Sequence, residues 1–199
     1  MATGNDKIII QEKPDWVSWD DIEKCLYEAH SYNRNNGIKM GHQNMTGNEI
    51  KDLLGENSHM LVAVDNGCLV GCAAMKVLEK RFWYGKGIYA YCCFASVLPQ
   101  YAGQGIYHRF VEKRETIARQ LGINMMFFNT SPDNKRVIKI AEGAGYKKVS
   151  YSISNGFPYV FLVKWLNGCP FSVAKCKYEY LKRKFLVKTM HTVKSLVGE

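Results

Sequence analysis

The chain reads as an α+β fold of the three-layer α/β kind: a twisted sheet of about seven strands, mixed but mostly antiparallel, flanked by helices, with a basic helical extension at its C-terminal end. Three observations predict it. An Asp65-Asn66-Gly67 turn separates two apolar runs of strand length, the strongest short hairpin signal a sequence carries. The aromatic, β-branched and Cys-rich run from Ile88 to Val97 meets a helical pattern across Pro99, Gly103 and Gly105. A further apolar run, Ile123 to Thr130, is followed by a helix and then by a second hairpin across Asn155-Gly156-Phe157-Pro158.

Taken in order, Ile8-Ile9-Ile10 begins a first strand that stops before Pro14. Ser18 followed by Asp21 has the form of a capping box and opens a helix whose apolar stripe is Ile22, Cys25, Leu26 and Ala29. The polar run Tyr32 to Gly37 ends it. A second cap, Thr46 with Glu49, starts a shorter helix through Ile50, Leu53 and Leu54 to Gly55, so the segment between, with Arg34, Lys39, Met40 and His42, reads as a loop. The runs His59 to Val64 and Cys68 to Met75 form the first hairpin, and a second reversal in Arg81 to Gly87 leads into the strand that ends at Val97. In the helix that follows, Ile106, Phe110, Ile117 and Leu121 share one face, with His108, Arg109, Lys113, Arg114 and Arg119 mostly opposite and Gly122 as the stop. Pro132, Asp133 and Asn134 lead into a helix carrying Val137, Ile138, Ile140 and Ala141, which stops at Gly143-Ala144-Gly145. Lys148 to Ile153 and Tyr159 to Trp165 close the sheet.

Composition bounds the function. In 199 residues, 47% hydrophobic and 23% charged, there is enough chain for one domain, or one domain with an extension, and nothing typical of disorder. No stretch approaches the ~20 apolar residues of a membrane span, and residues Met1 to Lys13 lack the apolar centre of a signal peptide, so the cytoplasm is the expected location. Seven cysteines with no Cys-x-x-Cys pair and no matching His ligands argue against a metal site and read as buried apolar side chains in a reducing compartment. A net charge of +9 favours acidic partners, among them a phosphorylated cofactor.

The strand-to-helix turn Val97-Leu98-Pro99-Gln100-Tyr101-Ala102-Gly103-Gln104-Gly105-Ile106-Tyr107-His108 concentrates the chemistry. Its glycines are expected in the first turn of the helix, where unpartnered N–H groups and the positive end of the helix dipole can hold a phosphate. A dinucleotide fingerprint would need Gly or Ala at position 108, where His108 stands, and a P-loop needs a Gly-Lys-Ser/Thr ending that is absent. What fits is Gln100, Gly103 and Gly105 as Gln/Arg-x-x-Gly-x-Gly/Ala, preceded by Val97-x-Pro99.

That pattern resembles motif A of the GCN5-related N-acetyltransferase (GNAT) superfamily. The element order, with the glycine turn after the fourth strand, resembles the family's over about residues 7 to 167, and Asn134, helix, Gly145-Tyr146 is similar to its Asn, helix, Gly-Phe passage. The resemblance implies a catalytic domain at 1–167, with the fourth and fifth strands splayed and acyl-CoA, most often acetyl-CoA, as donor and co-substrate. It implies that Ala95, Ser96 and Val97 hold the pantetheine arm through their backbone. Gln100, Tyr101, Ala102, Gly103, Gln104, Gly105, Ile106 and Tyr107 would surround the pyrophosphate, with Asn134 also at the cofactor. Direct attack of a neutral amine on the thioester is the implied reaction, with no metal. Two of the family's familiar side chains are missing: the usual Tyr of the last helix falls at Ala141, and the comparable stretch of the fourth strand, Tyr89-Ala90-Tyr91-Cys92-Cys93, holds no carboxylate. Catalysis is then expected through water, Tyr91 or Tyr89.

Substrate selection is expected from Tyr32, Arg34 and His42 between the first helices, from Trp83 at a strand reversal and from Phe157 in the last hairpin. This polar, aromatic and basic set suits a neutral or anionic small-molecule amine, such as an amino sugar or an amino acid. Rival readings are an N-acyltransferase using longer acyl-CoA or acyl carrier protein donors, and a noncatalytic acyl-CoA-binding regulatory module. No nucleic acid is expected as a partner. Beyond Asn167-Gly168-Cys169-Pro170, the extension at 168–199 carries seven Lys or Arg against two Glu. Its apolar face, Tyr178, Leu181, Phe185, Leu186, Met190, Val193 and Leu196, leaves three uses open: packing on the catalytic domain or a homodimer mate, an anionic membrane surface at the inner face of the membrane, or an acidic carrier protein.

Overall fold

The computed structural model describes residues 7–37, 44–82, 85–154, 156–168 and 173–197. Two compact units divide the chain, residues 1–126 and 127–199. Among the described residues, seven strands and the helices that flank them make the mixed, mostly antiparallel α+β architecture expected from the sequence.

In the first unit, β1 (Ile9–Glu12), β2 (Ser58–Asp65), β3 (Cys68–Phe82) and β4 (Gly85–Val97) lie in sequence order, each antiparallel to the next. Asn66 and Gly67 close the first hairpin in left-handed conformation, as the Asn-Gly pair predicts. On one face lie α1 (Trp19–Ala29) and α3 (Gly47–Leu54), whose Ile22, Cys25, Leu26, Ile50 and Leu54 form a core with Met60, Val62, Val64, Cys72, Ala74, Phe94 and Leu98. On the other lies α4 (Ile106–Gln120), buried through Ile106, Phe110, Val111, Arg114, Ile117 and Ala118. Arg109 on α4 donates from Nη2 to the carbonyl of Ile8 beside β1, at 2.8 Å.

Both expected capping boxes form. Ser18 N–H donates to Asp21 Oδ2 at 2.9 Å and Asp21 N–H to Ser18 Oγ at 3.1 Å; Thr46 N–H donates to Glu49 Oε2 at 2.7 Å and Glu49 N–H to Thr46 Oγ1 at 3.3 Å. Elsewhere the sequence reading needs correction. Part of the expected loop is a short helix, α2 (Ser31–Asn35), started directly after α1, and Tyr32 and Arg34 sit on it. Leu121, assigned to the apolar stripe of α4, is 45% exposed, whereas Arg114, assigned to the polar side, is 3% exposed. Arg114 stands four residues after Phe110 and three before Ile117, the spacing that defines the buried stripe.

The second unit begins within β5 (Met125–Thr130), and from there the strand order is β5, β7 (Phe157–Trp165), β6 (Lys147–Ser154), with β6 and β7 antiparallel and Ser154 opposite Phe157. Helix α5 (Lys135–Gly143) is capped by Asn134, and α6 (Val173–Val197) lies along β6. Phe128 and Tyr146 meet edge to face with centroids 5.3 Å apart.

Two predictions follow from local geometry. The hydrogen bond from Ser18 holds the Asp21 carboxyl below its ordinary 3.8, and that from the Thr46 backbone holds Glu49 below 4.5. A carboxyl depressed in the folded state contributes stability fully above its unfolded value and loses it as the pH falls through the folded one. Stability of Asp21→Asn and Glu49→Gln should therefore be less steeply lost below about pH 4.5 than that of the parent, read from urea midpoints across pH. Second, a Cβ on Gly71 would lie 2.8 Å from the Ser96 carbonyl oxygen and 3.3 Å from the Phe110 ring. Because backbone cannot yield like a flexible side chain, Gly71→Ala should cost about 1–3 kcal/mol in equilibrium unfolding.

Candidate functional site

The site grows from a fault in the β3–β4 ladder. Cys72 pairs with Ser96 and Ala74 with Cys93, so three steps on β4 oppose two on β3. One residue is extra, which defines a β-bulge. Phe94 takes up the slack in the left-handed region at φ 52°, although it is not glycine. Such a conformation costs a side-chain-bearing residue roughly 1–2 kcal/mol, and full burial of a Phe side chain returns roughly 1.5–3 kcal/mol. Phe94 is 2% exposed in the core under α1 and α3, so burial outweighs the strain.

The bulge reverses which residues face that core. Before it, Cys93 lies opposite Ala74 on the α1/α3 side; after it, Phe94, Ser96 and Leu98 do. Ala95 and Val97 therefore fall on the α4 side, and Gly71 opposite Val97 lets the Phe110 ring close against the sheet there. Ser96 is buried and its Oγ is 3.3 Å from Cys72 Sγ, leaving only its backbone for a ligand. Cys25 of α1 shares a hydrogen bond with the same Cys72 thiol, and this hydrogen bond together with burial raises the Cys25 thiol far above its ordinary value. Burial likewise pushes the Cys93 thiol up to about 12, so neither is a ready nucleophile.

Beyond Val97 the chain makes a single 3-10 turn, Pro99–Tyr101. Leu98 N–H donates to Val70 O at 2.9 Å, Tyr101 N–H to Leu98 O at 2.9 Å and Ala102 N–H to Pro99 O at 3.0 Å. Tyr101 and Ala102 thus line the turn with their N–H groups already engaged, a correction for Ala102, whose N–H was expected to face the pyrophosphate. The Tyr101 hydroxyl donates to Asp65 Oδ2 at 3.1 Å, and this bond raises its pKa. Asp65 belongs to the β2–β3 turn, so one hydrogen bond ties that turn to the glycine segment.

Gly103 and Gly105 are left-handed, at φ 85° and 76°, and a Cβ on either would meet nothing within 4 Å. They sit just ahead of α4 rather than in its first turn, with Gly105 as the N-cap. Glycine is required there by backbone angle, and the space above it is open. Helices α1, α3 and α5 are capped by side chains, and α1 and α3 carry acids in their first turns; α4 has neither a side-chain cap nor an acid in its first turn. Its leading N–H groups lack intrahelical acceptors and carry the positive end of the dipole, chemistry that can hold an anion.

The remaining candidates separate. Tyr107 takes a hydrogen bond from Arg114, and desolvation raises its phenol pKa. Arg114 also donates from Nη1 to Ala74 O at 3.4 Å. Tyr89 is 4% exposed, with its hydroxyl 3.0 Å from where a Cβ of Gly87 would be. Tyr91 is half-buried opposite Lys76. Tyr32 is 68% exposed, whereas Arg34 lies over the Tyr27 ring at 3.7 Å and donates to the Tyr27 carbonyl. His42 and Trp83 lie outside the described residues. Phe157 begins β7, half-buried. Asn134 is buried and caps α5, accepting from Val137 N–H at 3.4 Å and donating to Thr130 Oγ1 at 3.3 Å. Ala141 is 2% exposed on the same helix. Sequence reasoning missed Phe94, Asp65 and Arg114. Arg114 alone carried a signal, its place in the apolar stripe; a bulge and a contact between distant turns leave none in local pattern. Among the described residues, no group of three or more His, Cys, Asp or Glu is placed to hold a metal ion.

The fold is shared with known structures. The ribosomal-protein-S18-alanine N-acetyltransferase from Escherichia coli superposes with a TM-score of 0.63 at 13% identity, covering 81% of this chain and 96% of that one. Aminoglycoside 6'-acetyltransferase type Ii gives 0.62 at 19% identity, covering 81% and 99%. Arabidopsis thaliana NAA60, in complex with a bisubstrate analogue, gives 0.62 at 16% identity, covering 81% and 99%. No curated protein sequence matches the chain. At these identities the structures establish the fold alone. The family model described as "Acetyltransferase (GNAT) family" matches residues 16–146, two capping boxes and the whole glycine turn included, and by that match the chain belongs to the GNAT acetyltransferase family.

Proposed function

We propose that the chain is an acyl-CoA-dependent N-acetyltransferase, moving an acetyl group from acetyl-CoA to the amine of a small molecule such as an amino sugar or an amino acid. The observation that carries this reading is the N-terminus of α4, uncapped and preceded by left-handed Gly103 and Gly105 with open space above them. Backbone N–H groups of Gly103, Gln104, Gly105, Ile106 and Tyr107 suit a pyrophosphate, with Gln100 at the exposed rim, and the backbone of Ala95 to Val97 suits the pantetheine arm.

In the proposed reaction the amine nitrogen forms a bond to the thioester carbonyl carbon and the carbon–sulfur bond breaks. The nitrogen gives up a proton to water or a side chain, and the departing sulfur takes one. Attack requires the neutral amine. Tyr91, half-buried on β4, is the better candidate to position the amine or relay its proton; Tyr89 is sealed by its own strand. The acceptors named for two of the related structures differ, a ribosomal protein's alanine in one and an aminoglycoside in the other, so the fold does not choose the acceptor. A neutral or anionic acceptor suits the basic, aromatic side chains Tyr32 and Arg34. The noncatalytic acyl-CoA-binding reading is favoured by one feature, the buried methyl of Ala141 where family members often carry a phenol.

Turnover of acetyl-CoA with a panel of amino sugars and amino acids, followed by thiol release, separates these. Release with a neutral or anionic amine is expected; tight acetyl-CoA binding without release across the panel would assign the noncatalytic module. Gly105→Ala imposes the left-handed cost of roughly 1–2 kcal/mol on a side-chain-bearing residue and should raise KM for acetyl-CoA by about tenfold with little change in far-ultraviolet circular dichroism. Tyr91→Phe should lower kcat by about tenfold or more while leaving KM for acetyl-CoA unchanged; an unchanged kcat removes Tyr91 from the chemistry.

A further inference from the structure

Helix α6 is apolar on two opposite sides. Cys176, 5% exposed, lies on the same side as half-buried Tyr180 and Val187, and burial, then the nearby Tyr180 phenol, raises the pKa of Tyr151 on β6. At about 100° per residue these three cluster on the side toward β6. Tyr178, Leu181, Phe185 and Leu186 fall on the reverse side and are 61, 51, 71 and 48% exposed. The apolar face that the sequence singled out is thus the one turned away from β6. Around it stand exposed Lys175, Lys177, Lys182 and Lys188 against one acid on the helix, Glu179.

We infer that this outward face docks α6 flat on an anionic lipid surface. Charge selects the occupant. A second copy of the chain would bring an identical cluster of Lys against this one, with Lys182 of each copy set among the other's apolar side chains. An anionic bilayer accepts both properties at once: Leu181, Phe185 and Tyr178 enter the headgroup boundary while the basic side chains reach lipid phosphates. Lys182, within the apolar arc, buries its stem and extends its ammonium to the surface. The helix lies on the membrane and does not cross it, since no helix among the described residues is long and apolar enough to span one. This surface is independent of the reading of the α4 site.

The test is flotation of the full chain with phosphatidylcholine vesicles, with and without ~30% phosphatidylserine. Binding at least about tenfold tighter to the phosphatidylserine vesicles, weakened by salt, is expected. Leu181→Glu with Phe185→Glu should abolish it while thermal unfolding stays unchanged, because both side chains point away from β6. Lys182→Glu with Lys188→Glu should remove the preference for phosphatidylserine. Equal binding to neutral vesicles, no binding to either, or binding that survives the Leu181→Glu and Phe185→Glu changes would overturn the inference. So would a dimer in size-exclusion chromatography that these changes convert to monomer, since it would assign the face to a second copy.

Discussion

The bulge at Phe94 is the constraint on which the candidate site depends. An antiparallel ladder in register would send Ala95 and Val97 toward the α1/α3 core and leave Phe94 on the other side. One extra residue on β4 moves Phe94 into the core and turns the last residues of the strand toward α4. Everything after it inherits that choice: the close approach of Gly71 to Ser96 and Phe110, the direction in which the chain leaves Val97, and the line along which α4 starts. The left-handed strain is localised in a residue whose side chain is among the largest fully buried in the protein, which is where a strained backbone is best held.

Much of this architecture was legible in the residues. Asn66-Gly67 could close only one kind of turn, and Ser18 with Asp21 and Thr46 with Glu49 could satisfy the first turns of two helices without outside help. Gly103 and Gly105 announced a backbone that other residues resist. These are local signals, decided by side chains within four positions of the backbone they act on. What stayed hidden is non-local. Nothing near Phe94 states that β3 will be one residue short opposite it, and nothing near Tyr101 points to Asp65. Arg114 shows the intermediate case, where spacing placed it on the buried face but its charge argued otherwise. A long side chain with bonds to Ala74 and Tyr107 reconciles the two.

The C-terminal helix shows how a conspicuous apolar stripe can conceal a second one. Its sequence has apolar residues on nearly opposite sides, and the larger, more apolar set is the conspicuous one. Packing against β6 instead uses Cys176, Tyr180 and Val187, smaller or amphipathic groups that allow close approach. The helix can therefore be held by its own unit and still present bulky side chains and cations elsewhere.

The hydrogen bond from Tyr101 to Asp65, with the internal bonds from Leu98, Tyr101 and Ala102, has a thermodynamic corollary. The segment ahead of α4 is anchored through Leu98, Tyr101 and Ala102 by the protein's own contacts before any phosphate arrives. A ligand entering above Gly103 and Gly105 then has little chain entropy to remove. Association at that point becomes a matter of exchanging hydration water for fixed N–H donors, in a receptor whose shape is already set.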